Sequence, residues 1–200
     1  KKGVIKMLKQ ALVLALLAAS SATFAGNWQV KVGGSVISAT SDTTLGGTTT
    51  VKADHEYAFT PSVEYFFGDS NVSTELLLAA PVNHDVLANG TKVASLKQLP
   101  PVLTVKYNFK NSTRFTPYIG VGGAAFLAWD EKGLAEKVDN DYGFAGQVGF
   151  NFQPADAKNW GVFADVRYAD LSPKVTLTGG TRFNLDINPL VYTIGYSYRF

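Results

Sequence analysis

The chain of 200 residues contains no cysteine. Disulfide cross-links, thiolate nucleophiles and cysteine metal sites are therefore excluded. Histidine is almost as scarce. His55 and His84 are the only two, too few by themselves for a convincing zinc site, so neither a metal nor another cofactor is expected. Positive charge is thin over most of the chain as well. There are 18 Lys and Arg against 16 Asp and Glu, but Lys1, Lys2, Lys6 and Lys9 crowd the beginning. Setting those four aside leaves 14 against 16, a net of −2. No basic footprint for nucleic acid remains. Beyond residue 25, finally, no apolar run reaches the length of a membrane helix.

What is present begins with the first 25 residues. Four lysines precede an apolar run from Ala11 to Ala19, and a small-residue segment then ends in Thr23-Phe24-Ala25. Those are the three regions of a secretory signal peptide, and the run is too short to span a bilayer comfortably. Cleavage after Ala25 is expected, leaving Gly26 to Phe200 as one domain.

Residues 26–200 are built from segments of about ten residues that alternate between two kinds of side chain, the signature of a transmembrane β-barrel. The last is clearest. Leu190, Tyr192, Ile194, Tyr196, Tyr198 and Phe200 alternate with Val191, Thr193, Gly195, Ser197 and Arg199. Similar segments start near Trp28, Phe59, Val72, Leu99, Phe115, Tyr142 and Trp160. The connections near residues 69, 112 and 156 are tight; those near 46, 89, 135 and 180 are longer and polar. The pattern predicts an all-β fold, an eight-stranded antiparallel up-and-down transmembrane β-barrel. Short turns and both termini are expected on the periplasmic side of a Gram-negative outer membrane. Trp28, Phe67, Phe109, Phe115, Phe152, Trp160 and Phe200 fall at one end of the strands, and Tyr57, Trp129, Tyr142 and Tyr168 at the other. Two aromatic belts flanking an apolar band suit a membrane. A soluble β-sandwich would need a second set of partners for the same greasy face.

At the level of motifs the chain resembles the outer membrane protein W (OmpW) family. The resemblance is carried by TELLLAAPVNHDV (74–86), LPPVLTVKYNF (99–109), RFTPYIGVGGAAF (114–126), YGFAGQVGFNF (142–152) and the terminal YSYRF (196–200). It implies an outer-membrane barrel with a narrow, partly apolar lumen. It also implies passive passage of small hydrophobic or amphipathic molecules, with lateral exit into the bilayer.

Alternation assigns the inward residues, because outward ones must satisfy lipid. Lys31, Glu64, Glu75, Lys106 and Asp165 all face inward, in one layer roughly 10 Å above the periplasmic rim. Arg167 and Arg199 lie above and below it. An ion-paired cluster is expected, which either fills a small barrel structurally or governs exit of solute. Leu77, Val102, Phe126 and Phe163 form the inward apolar set. The glycine-rich YIGVGGAAF (118–126) lacks the GK[ST] and the strand-to-helix setting of a phosphate loop. On a strand, Gly120 and Gly122 face the lumen and are expected to leave room for a solute. Pro100-Pro101 could loosen strand pairing, since proline donates no ladder hydrogen bond.

No catalytic residue is assigned. His84-Asp85 with Ser95 is the one hydrolase-like set, but neighbours along a strand point to opposite faces, so Asp85 could hardly orient His84. Tyr196, Tyr198 and Phe200 resemble an assembly signal read by the barrel-assembly machinery. The expected partners are outer-membrane lipid, small hydrophobic solutes and that machinery, with the barrel monomeric. The alternative to a channel is a non-conducting surface barrel whose loops bind a partner or serve envelope stress.

Overall fold

The computed structural model describes residues 27–40, 43–45, 49–53, 56–78, 82–88, 91–99, 101–133, 135–177, 179–180 and 182–200. The leader expected over residues 1–25, His55 and Pro100 lie outside them. Eight strands close into an antiparallel barrel, as the alternation predicts. They are β1 (Trp28–Ala39), β4 (Glu56–Phe66), β5 (Val72–Leu77), β8 (Val102–Asn108), β9 (Phe115–Gly133), β11 (Asp141–Phe152), β12 (Trp160–Ala169) and β15 (Pro189–Arg199). Each pairs with its neighbour in the chain, and β1 closes the ring against β15 with Lys31 opposite Ser197 and Val36 opposite Tyr192. Closure removes the unpaired edges that lipid could not satisfy.

The period-two pattern sorts side chains as lipid and interior require. In β8, Leu103, Val105 and Tyr107 are exposed, whereas Val102, Thr104, Lys106 and Asn108 are buried. Phe59, Ile119, Val121, Phe144, Val148 and Ile194 extend the exposed apolar band around the barrel. Exposed Phe67, Phe109, Phe115, Phe152, Trp160 and Phe200 ring the short-turn end. Several rings there meet edge to face, with centroids 5.0 Å apart for Tyr107–Phe109 and 5.1 Å for Tyr198–Phe200. Tyr57, Tyr142 and Tyr168 are exposed toward the other end. Phe152 and Tyr142 lie on one strand, so the tilted backbone separates the two belts by about 25 Å, the height of an outer-membrane apolar band.

The long connections differ from the expected loops. Seven further strands occupy them among the described residues: β2 (Thr43–Leu45), β3 (Thr49–Ala53), β6 (Val82–Ala88), β7 (Thr91–Leu99), β10 (Ala135–Val138), β13 (Lys174–Leu177) and β14 (Arg182–Asn184). The first four extend the wall from the far half of β9, in the order β9-β7-β6-β3-β2. The last three form a separate small sheet, β10-β13-β14. Threonine- and valine-bearing stretches such as TTVKA satisfy their backbone groups by pairing, where a long open loop would leave them to water.

Candidate functional site: a three-tier lumen

The lumen is divided by height. At mid-barrel, Lys31, Glu64, Glu75 and Lys106 are fully buried, and Arg167 and Asp165 nearly so. Consecutive barrel strands bring them together. Glu64 on β4 lies directly opposite Glu75 on β5, an arrangement that repels unless cations stand between. Two do. Lys31 Nζ lies 2.8 Å from Glu64 and 3.3 Å from Glu75, and Lys106 Nζ lies 2.9 Å and 2.8 Å from the same two. Arg167 Nη2 donates to Glu75 Oε1 and to Asp165 Oδ2, each at 2.8 Å. Three carboxylates thus meet three cations, and the cluster is formally neutral.

Hydroxyl groups add to the shell. Ser62 donates to Glu75 at 2.6 Å, Ser73 to Glu64 at 2.5 Å and the Tyr118 phenol to Asp165 at 3.0 Å. Tyr118 also lies flat beneath a cation, its ring centroid 3.7 Å from Lys106 Nζ. Taking these charges from water is costly, so only dense mutual pairing can hold them there. The result is a solid plug.

Above the plug, on the long-loop side, lies a cavity of about 40 Å³. Leu77, Val102, Ala124, Phe126, Ile37 and Val191 wall it. Leu171 and Ile187 roof it, and they join Val138, Val175 and Leu185 in one apolar cluster over the barrel mouth. Hydrogen bonds tie this cap down beside the β10-β13-β14 sheet. Ile187 N donates to Leu171 O, the Asn188 side chain accepts from Leu171 N, and Thr40 Oγ1 donates to Asn188 O. Asn188 itself has φ 39, a conformation that asparagine tolerates better than most residues. Below the plug, at the short-turn end, a wider vestibule of about 360 Å³ is lined by Asn108, Asn151, Lys110, Arg114, Lys158 and Arg199 among others.

Comparison with known proteins fits this geometry. The family model described as the OmpW family matches residues 23–200. The chain belongs to that family. Outer membrane protein W of Vibrio cholerae is 35% identical over 156 residues, 68% of this chain and 70% of that protein. Outer membrane protein AlkL of Ectopseudomonas oleovorans is 25% identical over 182 residues, covering 86% and 74%. Among solved structures, OprG of Pseudomonas aeruginosa superposes with a TM-score of 0.77 at 27% identity, over 88% of this chain and 96% of that one. The protein is thus an outer-membrane β-barrel of the OmpW family.

Within this OmpW-family barrel, five of the six plug ions are the ones that alternation put in one layer, with Arg167 joining them from above. Arg199 does not belong to that layer. It sits two residues below Ser197, which pairs with Lys31, and its guanidinium stacks on the Phe66 ring at 4.2 Å beside the vestibule.

The apolar set divides too. Leu77, Val102 and Phe126 wall the cavity, but Phe163 faces the plug, with Lys31 Nζ 5.2 Å from its ring. Nor do Gly120 and Gly122 leave room. A Cβ at Gly120 would meet Gln147 and Lys106 at 2.9 Å, and one at Gly122 would come within 2.7 Å of the Thr104 Cα. Their missing side chains are filled by neighbours, and at Gly122 by the backbone of β8. Tyr118, Ser62 and Ser73 complete the plug without having been singled out by sequence; each is an inward residue of its strand, and that was their one signal. His84 and Asp85 are consecutive in β6, paired with Leu96 and Ser95.

Proposed function

We propose that this barrel is a passive outer-membrane channel for small hydrophobic or amphipathic molecules. They enter from the long-loop side and leave sideways into the bilayer. The observation that carries the reading is the stacking of an apolar cavity directly on a buried ionic plug. An apolar solute gains by entering the cavity and would lose by displacing paired charges below it. The axial route is therefore closed to it, and the wall is the remaining way out. Leu77 opposite Val102 is the last pair of the β5–β8 ladder, and it adjoins Pro101, which has no N–H to donate to a ladder. There we infer the lateral exit.

The tight turns and both termini then face the periplasm, and the protein acts as a monomer. Tyr196, Tyr198 and Phe200 form an outward aromatic stripe suited to recognition by the barrel-assembly machinery. Deleting Phe200 should lower the yield of assembled barrel more than uptake per folded molecule.

The test is uptake of a labelled apolar solute by cells producing the protein, compared with Ala124→Phe, which fills the cavity from its wall. Uptake should fall toward the level of cells lacking the barrel. Equal uptake by a correctly assembled Ala124→Phe protein would instead favour the non-conducting surface barrel, a reading supported by the sheet that β2, β3, β6 and β7 raise above the barrel.

A further inference from the structure

The apolar cavity has one charged residue in its lining, Arg167. The side chain is 3% exposed, and its Nη2 is spent on Glu75 and Asp165. Its Nε–H, also buried, has no hydrogen-bond partner. A buried guanidinium N–H without an acceptor is costly, and a ligand acceptor beside it would gain a charge-assisted hydrogen bond. The remaining lining is aliphatic or aromatic apart from Thr60, whose hydroxyl is already engaged with Ser35 at 2.6 Å.

We propose that Arg167 is a head-group site at the floor of the cavity, selecting neutral amphiphiles with one hydrogen-bond acceptor, such as alkanols, alkanals and ketones. This rests on the channel reading above and names its substrate class. Charge balance decides the sign. The three acids and three bases of the plug already cancel, so a carboxylate head would add an unpaired negative charge to a buried neutral cluster. A hydroxyl or carbonyl brings the acceptor without the charge. An alkane brings neither and leaves the N–H unmet. Size agrees with an end-on pose: roughly 150 Å³ is needed to enclose a benzene-sized molecule. The cavity of about 40 Å³ therefore takes a polar head and the first carbons, with the tail displacing the cap.

The test is NMR on the full barrel in detergent, titrated separately with hexanol, hexane and ionised hexanoate. Hexanol should move the Arg167 Nε–H resonance, and both hexanol and hexane should move the Leu77 and Val102 methyl resonances. Hexanol should bind about tenfold more tightly than hexane, and hexanoate should bind most weakly. In Arg167→Lys, which keeps the charge balance, the preference for hexanol over hexane should disappear. Should that variant not fold, the wild-type series decides alone. Methyl shifts with a still Nε–H, or hexanoate as the tightest ligand, would overturn the head-group site while leaving the apolar cavity standing. Methyl resonances unmoved by every ligand would overturn the channel reading together with it.

Discussion

The two halves of the lumen are closed by opposite kinds of chemistry. The way to the short-turn end is sealed at mid-barrel by six ions and their hydroxyl partners, each paired with more than one of the others or with a hydroxyl. The long-loop half is sealed by Leu171, Ile187 and their apolar neighbours, held by the small β10-β13-β14 sheet and by hydrogen bonds through Asn188, Thr40 and Ser172. An ionic seal resists partial opening, because each separated charge loses its whole compensation at once. An apolar cap yields more gradually, contact by contact. The same barrel wall therefore carries a rigid floor and a displaceable roof, and the proposed traffic uses only the roof.

The largest effect should come from the floor. Replacing Lys31 and Lys106 together by Met leaves Glu64 facing Glu75 with no cation between them. Breaking a buried pair costs about 3–5 kcal/mol, and two such losses should leave little folded barrel. The heat-resistant folded band on unboiled gels should be depleted, and any surviving barrels should conduct ions in planar bilayers. Unchanged heat resistance together with unchanged conductance would remove the distinction between floor and roof. The single change Glu75→Leu should come next, since it removes the acid that Lys31, Lys106 and Arg167 share and leaves three cations to two carboxylates.

A smaller effect is expected at the roof. Leu171→Ala removes a side chain that is 2% exposed, at about 2–3 kcal/mol for a site beside an existing cavity. The consequence should be local. Because the chain has no cysteine, a single Phe126→Cys probe reports access to the cavity. Its reaction with a small thiol reagent should quicken in the Leu171→Ala background while the folded band persists. A loss of the folded band as complete as that of the lysine pair would mean that the cap is part of the barrel's foundation.

The sequence shows face far better than it shows height and reach. A strand has only two faces, so Lys31, Glu64, Glu75, Lys106 and Asp165 could be turned inward from alternation alone, and the turn lengths put them in one layer. Reach is another matter. Arg199 shares their face but folds onto Phe66, and Phe163 lies against Lys31 instead of among the aliphatics. The roof was hidden for a different reason. Leu171, Val175, Leu185 and Ile187 are isolated apolar residues in polar connections, with no period long enough to predict β13 and β14. Glycine misled most. Bare positions at 120 and 122 suggest space, yet in a narrow barrel a missing side chain is filled by the two strands paired beside it, here β8 and β11.

The smallest effect tests that last point on two adjacent residues. Gly33 and Gly34 are consecutive in β1 and face opposite sides of the wall. A methyl at Gly33 would point inward, 2.6 Å from Thr193 Cγ2 and 3.2 Å from Phe163 Cζ. One at Gly34 would meet nothing within 4 Å, between exposed Phe59 and Ile194 on the lipid face. Gly33→Ala should therefore cost about 1–3 kcal/mol through crowding. Gly34→Ala should be neutral or stabilise by about 0.4–1 kcal/mol, because alanine restricts the unfolded chain and suits a strand. The midpoint of thermal unfolding in one detergent, measured for both variants, checks the sign of each. If both shift the midpoint alike, the interior at that level is loose enough to accept a methyl. The tight filling inferred around Gly120 and Gly122 would then fail with it.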